Sequence, residues 1–182
     1  MQMRKCMCFA LCVLFVFALF GCEHFAGVDI GTEDSTQTIP SKGEDENQKT
    51  FSANGVQITL PDDFTEFGDT GAAVGLSDGY SVILAHREPI TSHPSLETYS
   101  LEEYAERLIQ SRNMSFDLQK IDGLLCFEYE VDVEETVKYS YFVVLFKTKT
   151  DFWIFEFVSD SREAHLHRDE FVQWAKTVTF TD

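Results

Sequence analysis

The sequence predicts an α+β domain in which helices pack on an antiparallel β-sheet. Short apolar segments after residue 50 are separated by Asn-Gly and Asp-Gly dipeptides, which are typical of tight turns between antiparallel strands. Two other segments repeat apolar residues at helical spacing. The predicted order is several strands, a helix, a run of longer strands and a C-terminal helix, which favours an antiparallel sheet with helices packed on it.

Turn residues delimit the predicted strands. Asn54-Gly55 is a strong two-residue hairpin signal, and Pro61 ends the second strand because proline cannot donate to a continuing ladder. Similar turn dipeptides occur at residues 78–79 and 122–123. The predicted strands are residues 51–53, 56–60, 72–76, 80–85, 124–134, 139–146 and 152–158.

Two helices are predicted. The first begins at Ser100, and Glu103 three residues later completes a capping box. The second spans about residues 161–176, and Trp174 on its apolar stripe is expected to be buried against the aromatic strand at residues 152–157. The alternative is that Trp174 lines a binding surface, in which case it would be partly exposed. The apolar faces consist of Leu101, Tyr104, Ala105, Leu108 and Ile109 in the first helix, and of Phe171, Trp174, Ala175 and Val178 in the second.

The start and the end of this region resemble the PsbP-like and Mog-type α/β/α sandwiches. Residues 55–64 run Gly-Val-Gln-Ile-Thr-Leu-Pro-Asp-Asp-Phe, and residues 152–157 run Phe-Trp-Ile-Phe-Glu-Phe before a final amphipathic segment. The resemblance covers nearly all of residues 51–182 but is a pattern of core positions. It implies a PsbP-like fold and a family of photosystem accessory proteins, Ran-binding proteins and bacterial proteins of unknown role, which tend to be non-enzymatic. It transfers no functional residue.

The N-terminus resembles a bacterial lipoprotein signal. Arg4 and Lys5 open it, residues 6–20 are apolar or sulfur-bearing, and Gly21 precedes Cys22. The apolar run is shorter than the roughly 20 residues that span a bilayer. The resemblance implies that residues 1–21 are removed and that Cys22 is acylated, for example with palmitate. An ordinary secretory signal and an uncleaved N-terminal anchor remain alternatives.

The predicted domain organisation follows from this signal. Residues 22–50 comprise the lipidated cysteine and a polar, acidic linker without apolar periodicity, which predicts disorder. Residues 51–182 form the PsbP-like domain. Cys6, Cys8 and Cys12 would leave with the signal, so Cys126 would be the remaining free thiol and no internal disulfide would form.

Charge limits the partners. The chain carries 14 Lys and Arg against 31 Asp and Glu, for a net charge of −17, and no basic stretch suits nucleic acid phosphates. We therefore expect no nucleic acid partner. The expected partners are membrane lipid, through acylated Cys22, and a protein of the cell envelope. The expected location is the cell membrane or the outer membrane, on the extracytoplasmic side.

Catalytic motifs are absent from the sequence, so no catalytic residue, metal ligand or cofactor is assigned and an enzyme is not expected. His165 and His167 are two residues apart, which places them on different faces of a helix. His86 and His93 are predicted to flank a loop, and Cys126 is predicted to be a small packing residue on a strand.

Alternating carboxylates mark one strand. Glu128, Glu130, Asp132 and Glu134 alternate with Phe127, Tyr129, Val131 and Val133. The apolar set is expected to face the core, and the carboxylates to form a solvated face that discourages edge pairing. A site for a cation or a cationic protein is the alternative.

Two function classes follow. In the first, the chain is a membrane-anchored extracytoplasmic lipoprotein that serves as a non-enzymatic binding or accessory module of the cell envelope. In the second, it carries a small apolar ligand or acyl chain in an aromatic-lined pocket. A pocket between residues 152–157 and the second helix would favour carriage, whereas a fully packed interior with an exposed apolar patch would favour docking of a partner.

Overall fold

A computed structural model describes residues 47–68, 71–111, 116–133 and 137–181. Within these residues the chain forms ten strands, two α-helices and one 3-10 turn (Ile90–Ser92). The helices are α1 (Leu101–Ser111) and α2 (Ala164–Lys176). The strands are β1 (Gln48–Ala53), β2 (Val56–Pro61), β3 (Thr65–Glu66), β4 (Val74–Ser77), β5 (Val82–Pro89), β6 (Gln119–Ile121), β7 (Leu124–Asp132), β8 (Lys138–Lys147), β9 (Asp151–Asp160) and β10 (Thr179–Phe180).

The strands form two sheets in the described part of the chain. The larger has the order β3-β4-β5-β9-β8-β7-β6 and the smaller the order β1-β2-β10, and every pairing is antiparallel. Helix α1 packs on one face of the large sheet. Helix α2 and the small sheet cover the opposite face. The predicted α+β class, an antiparallel sheet with helices packed on it, is confirmed.

Each face of the large sheet has its own apolar core. Phe152 and Ile154 of β9 point toward α1, whereas Trp153, Phe155 and Phe157 point toward α2 and the small sheet. All five side chains are buried. A strand covered on both faces loses the apolar–polar alternation of a half-exposed strand, which explains the continuous apolar run in β9.

The predicted turns and the capping box are present. Asn54 and Gly55 have φ values of 52° and 86°, as a tight hairpin turn requires, and β1 pairs with β2 on either side of them. At α1, the Ser100 backbone N–H donates to the Glu103 carboxylate at 2.7 Å, and the Glu103 N–H donates to Ser100 Oγ at 3.1 Å.

Several predicted boundaries are wrong. Strand β1 begins at Gln48, so residues 48–50 belong to the folded domain and not to the linker. Strand β5 begins at Val82, and Tyr80 lies in the preceding loop with 70% of its surface exposed. Helix α2 begins at Ala164, three residues later than predicted. The short strands β3, β6 and β10 were not predicted.

Some predictions fall outside the described residues. They are the signal at residues 1–21, the acylated Cys22, the linker up to residue 46, and Glu134. Among the described residues, no helix is both long and apolar enough to cross a membrane.

Candidate functional site

A groove of about 580 Å3 lies at one end of the domain, where the two sheets meet. It is bounded by the β1–β2 turn, the β8–β9 turn, the end of β5 and the chain after β10. Its lining residues are Asn54, Gly55, Arg87, Thr148, Lys149, Thr150, Asp151, Trp153, Phe180 and Thr181. Most of these side chains are exposed, so the groove is a surface feature and not an enclosed cavity.

The β1–β2 turn forms one wall of the groove. The Asn54 side-chain amide donates to the Ala73 carbonyl at 2.6 Å, which fixes the turn against the start of β4. The Thr181 N–H donates to the Gly55 carbonyl at 2.9 Å. A Cβ on Gly55 would lie 3.4 Å from the Thr181 carbonyl oxygen, and the positive φ at this position already favours glycine.

The β8–β9 turn forms the opposite wall. The Thr148 N–H donates to the Asp151 carbonyl at 2.8 Å, and the Asp151 N–H donates to Thr148 Oγ1 at 3.0 Å. The Thr150 hydroxyl donates to Asp151 Oδ2 at 2.6 Å. These hydrogen bonds give polar groups of the turn partners within the turn itself, and they hold the Asp151 carboxylate at the first position of β9.

A bidentate ion pair lies at the centre of the groove. Arg87 Nε donates to Asp151 Oδ1 at 2.7 Å and Arg87 Nη2 donates to Oδ2 at 3.0 Å. The Asp151 side chain is 5% exposed and the Arg87 side chain 44%. Burial acts to raise the pKa of Asp151, but the hydrogen bonds from Arg87 and Thr150 and the charge of Arg87 outweigh it. The pKa of Asp151 is therefore held below its ordinary value.

Aromatic rings form the floor of the groove. The Arg87 guanidinium lies 5.9 Å from the Trp153 ring centroid, within the range of a cation–π contact. The Trp153 ring contacts the Phe180 ring at 5.6 Å between centroids, and Phe180 contacts Phe146 at 5.5 Å. The floor is thus continuous with the core between the large sheet and the small sheet.

Comparison with solved structures identifies the architecture. The solution structure of cyanobacterial PsbP (CyanoP) from Synechocystis sp. PCC 6803 superposes with a TM-score of 0.54 at 12% sequence identity. The match covers 79% of this chain and 99% of that chain. The fold is PsbP-like. The resemblance expected from the sequence is confirmed at the level of the fold, which is all that an identity of 12% shows.

A second solved structure shows a weaker likeness. A crystal structure of a protein from Bacteroides thetaiotaomicron VPI-5482, at 1.50 Å resolution, matches with a TM-score of 0.45 and 16% identity. The match covers 70% of this chain and 45% of that chain, so this chain spans less than half of that protein. No family model and no curated protein matches the chain.

The PsbP-like fold keeps the histidines apart. His86 lies on β5 and not beside a loop, which corrects the prediction, and its Nε2 is 3.8 Å from a carboxylate oxygen of the buried Glu156. His93 Nδ1 is bonded to Ser95 Oγ at 2.7 Å. On α2, His167 contacts Glu170 at 3.1 Å and His165 is exposed.

Metal ligands do not converge in the described part of the fold. No three His, Cys, Asp or Glu side chains among those residues are grouped so that they could hold a metal ion. Cys126 is 1% exposed, and burial, reinforced by the charge of Glu128, raises the pKa of its thiol. A thiol with these properties is unreactive, as expected of a packing residue.

The carboxylates of β7 form surface ion pairs. Arg168 Nε of α2 donates to Glu128 at 2.8 Å, and Lys138 of β8 lies 3.2 Å from Glu130 and 3.4 Å from Asp132. These pairs fit the predicted solvated face and contribute about 0–1 kcal/mol each. The prediction that Val133 faces the core is wrong, because β7 ends at Asp132 and Val133 is 46% exposed.

Trp174 occupies a different place from the predicted one. Its ring contacts Phe64 at 5.2 Å, edge to face, and Phe171 at 5.5 Å. Phe64 follows β2 and Phe171 lies on α2, so the ring contacts of Trp174 are with these two residues and not with the aromatic rings of β9. It is only partly buried, whereas its neighbour Phe171 is 2% exposed.

Sequence reasoning did not find the groove. Arg87 and Asp151 are 64 residues apart and meet because β5 and β9 are neighbours in the large sheet. The one local signal is the Lys-Thr-Lys-Thr-Asp segment at residues 147–151, a turn that places an aspartate at the start of an apolar strand. A charged residue at that position needs a partner, but the sequence does not say which residue supplies it.

Proposed function

We propose that this chain is a non-enzymatic binding or accessory module of the cell envelope. It is anchored in the membrane through acylated Cys22, faces the extracytoplasmic side, and docks a protein partner at the groove. The lipoprotein-like signal supports the anchor. The PsbP-like fold supports the accessory role, because the family resemblance implies non-enzymatic proteins.

The filled interior is the observation that carries this proposal. Phe157 of β9 contacts Phe171 of α2 with 5.5 Å between ring centroids, and Phe142 of β8 contacts Phe171 at 6.5 Å. Phe155 and Phe157 have no exposed surface. Side chains thus fill the layer between the large sheet and α2, and the groove described above is a concave feature of the surface.

The packing of β9 against α2 does not support carriage of an apolar ligand. A carrier needs an apolar cavity that buries most of its ligand. The aromatic residues that would line such a cavity are in contact with one another instead.

The placement of the groove fits a tethered docking module. The linker would enter the domain at Gln48, and β1 runs from there to the Asn54-Gly55 turn that lines the groove. A six-residue strand is roughly 20 Å long. The groove therefore lies at the end of β1 opposite Gln48, so a tether that enters the domain at Gln48 would leave the groove accessible.

Site-specific crosslinking in the native cell tests the proposal. A photo-reactive amino acid at position 148 would lie in the groove wall, and the same amino acid at position 106, on the exposed side of α1, is the matched control. We expect one discrete protein adduct from position 148, in the membrane fraction, and none from position 106. Equal adduct patterns from the two positions, or none from either, would contradict docking at the groove.

A further inference from the structure

We propose that the groove recognises a carboxylate side chain of an extended partner segment, through the edge of the Arg87 guanidinium that Asp151 leaves open. This inference rests on the proposed docking function and names the chemistry of the partner.

The geometry of the ion pair identifies the open edge. A guanidinium has five N–H donors in a fixed plane. Asp151 takes the Nε–H and one Nη2–H, at 2.7 and 3.0 Å. The two Nη1–H donors and the second Nη2–H have no acceptor among the described residues. These donors form the other bidentate edge of the guanidinium, which matches the two oxygens of a second carboxylate.

The guanidinium is held in place before any ligand binds. Asp151 is itself fixed by the Thr150 hydroxyl at 2.6 Å and by the β8–β9 turn. The Trp153 ring lies 5.9 Å from the guanidinium carbon of Arg87. A donor group that is already oriented loses little side-chain freedom on binding, so more of its interaction energy appears as affinity.

The distribution of charge favours binding of an acidic segment at the groove over binding elsewhere on the surface. The lining contains two cationic side chains, Arg87 and Lys149, and one anionic side chain, Asp151. The whole chain has a net charge of −17. An acidic segment is therefore repelled by most of this surface but can bind at the groove, so the charge distribution favours binding at this one site.

The open shape of the groove favours a polypeptide over a small molecule. Asn54, Lys149, Thr150 and Thr181 are exposed, so a small carboxylate would stay largely in solvent. Strand β10 lies at an edge of the small sheet. The Thr181 N–H donates to the Gly55 carbonyl, so Thr181 directs its backbone groups toward the β1–β2 hairpin. Successive residues of an antiparallel strand direct their backbone N–H and C=O groups to opposite sides, so those of Phe180 point away from β2. An extended segment can pair with Phe180 while its carboxylate reaches Arg87.

NMR titration of the full chain in detergent micelles tests the inference. The probes are acetyl-Thr-Val-Asp-Val-Thr-amide and the same peptide with Asn in place of Asp. We expect the Asp peptide to shift the Arg87 Nε–H and the Trp153 indole N–H signals, and the Asn peptide to bind about tenfold more weakly or worse. Equal binding of the two peptides would overturn the inference.

The chain supplies matched internal controls. Arg162 makes the same side-on pair with Asp160, with Nε to Oδ1 at 3.0 Å and Nη2 to Oδ2 at 2.6 Å, at the other end of β9 and outside the groove. Its Nε–H signal, and the indole signal of Trp174, should not move. Shifts of equal size at Arg87 and Arg162 would show nonspecific charge attraction and overturn the inference.

Substitution of Arg87 distinguishes carboxylate recognition by the open edge of the guanidinium from attraction to a positive charge. Arg87→Lys keeps a cation beside Asp151 but removes the planar fork, so binding of the Asp peptide should fall by about tenfold, while Arg162→Lys leaves it unchanged. If Arg87→Lys lowers the melting temperature sharply, the pair Arg87→Met with Asp151→Asn removes both charges of the ion pair and should also abolish binding. Unchanged binding in either variant would overturn the inference.

The same variants distinguish this inference from the proposed function. If the position-148 adduct still forms in cells with Arg87→Lys at wild-type yield, the groove docks a partner without carboxylate recognition. If the wild-type chain gives no adduct at all, docking itself is wrong.

Discussion

Asp151 shows how one buried residue shapes this domain. Its carboxylate is almost fully removed from water, and removing an unpaired charge from water costs several kcal/mol. The Arg87 guanidinium and the Thr150 hydroxyl, which both donate to the carboxylate, together meet that requirement. The sequence reveals the aspartate, but the arginine that pairs with it comes from a strand more than 60 residues earlier.

The stability of the fold should depend on pH through Asp151. Its pKa in the folded state is below the ordinary value, so its ionised form stabilises the fold above the pKa of the unfolded chain. That stabilisation is lost as the pH falls through the ordinary aspartate range near about 4 and on to the lower folded pKa. The difference in unfolding free energy between wild type and Asp151→Asn should therefore be largest at pH 7 and should shrink toward pH 3.

Urea denaturation at pH 7, 5 and 3 measures this difference. Asp63→Asn is the control, because Asp63 is an exposed aspartate outside the groove. A difference between wild type and Asp151→Asn that stays constant over this range would contradict the assignment.

Among the elements, those with local signals were predicted and those held by distant contacts were not. The Asn54-Gly55 turn and the Ser100 capping box depend on neighbouring residues and were found. Strands β3, β6 and β10 have two or three residues each and are strands because a longer neighbour pairs with them. So short a segment has no periodicity to detect.

Trp174 on α2 should contribute less stability than a fully buried aromatic residue. Its ring contacts Phe64 and Phe171 but stays partly exposed. Trp174→Ala should cost less than the about 3–5 kcal/mol typical of a buried aromatic residue, and Phe171→Ala should fall within that range. Chemical denaturation of both variants measures the contrast. A Trp174→Ala variant as stable as wild type would show that the ring is not structural.

Strand β1 sets the start of the folded domain. Gln48, Lys49 and Thr50 pair with residues 59–61 of β2, and the Thr50 and Thr59 hydroxyls lie 2.9 Å apart. A chain trimmed to start at Asn47 should keep the melting temperature of the longer protein. A chain that starts at Phe51 loses half of β1 and should melt at a lower temperature. Identical melting of the two trimmed chains would contradict a structural role for residues 48–50.

The whole molecule combines a predicted membrane tether with the proposed docking groove, which lies at the end of β1 opposite Gln48. The tether was predicted from the sequence because a signal is a contiguous pattern. The groove was not, because four segments from different parts of the chain form it. The aromatic-rich sequence was compatible with either a filled core or a ligand pocket, because which of the two forms depends on which rings meet in the fold.

Acylation of Cys22 is the basis of the proposed tether. Cys22→Ala should abolish incorporation of labelled palmitate and leave a precursor of unchanged length, because the thiol that would receive the lipid at the signal cleavage site is removed. Gel analysis after metabolic labelling measures both. Continued labelling of the variant would contradict lipid attachment at this residue.

Thiol accessibility in the native cell tests most directly the claim that a partner covers the groove. Cys126 is buried and Cys22 would carry lipid, so an introduced cysteine would report its own position. Lys149→Cys places a thiol in the groove and Glu106→Cys places one on exposed α1. We predict that maleimide labels position 149 much more slowly in intact cells than in the purified chain, and position 106 at the same rate in both. Equal labelling rates at position 149 in cells and in the purified chain would contradict the account.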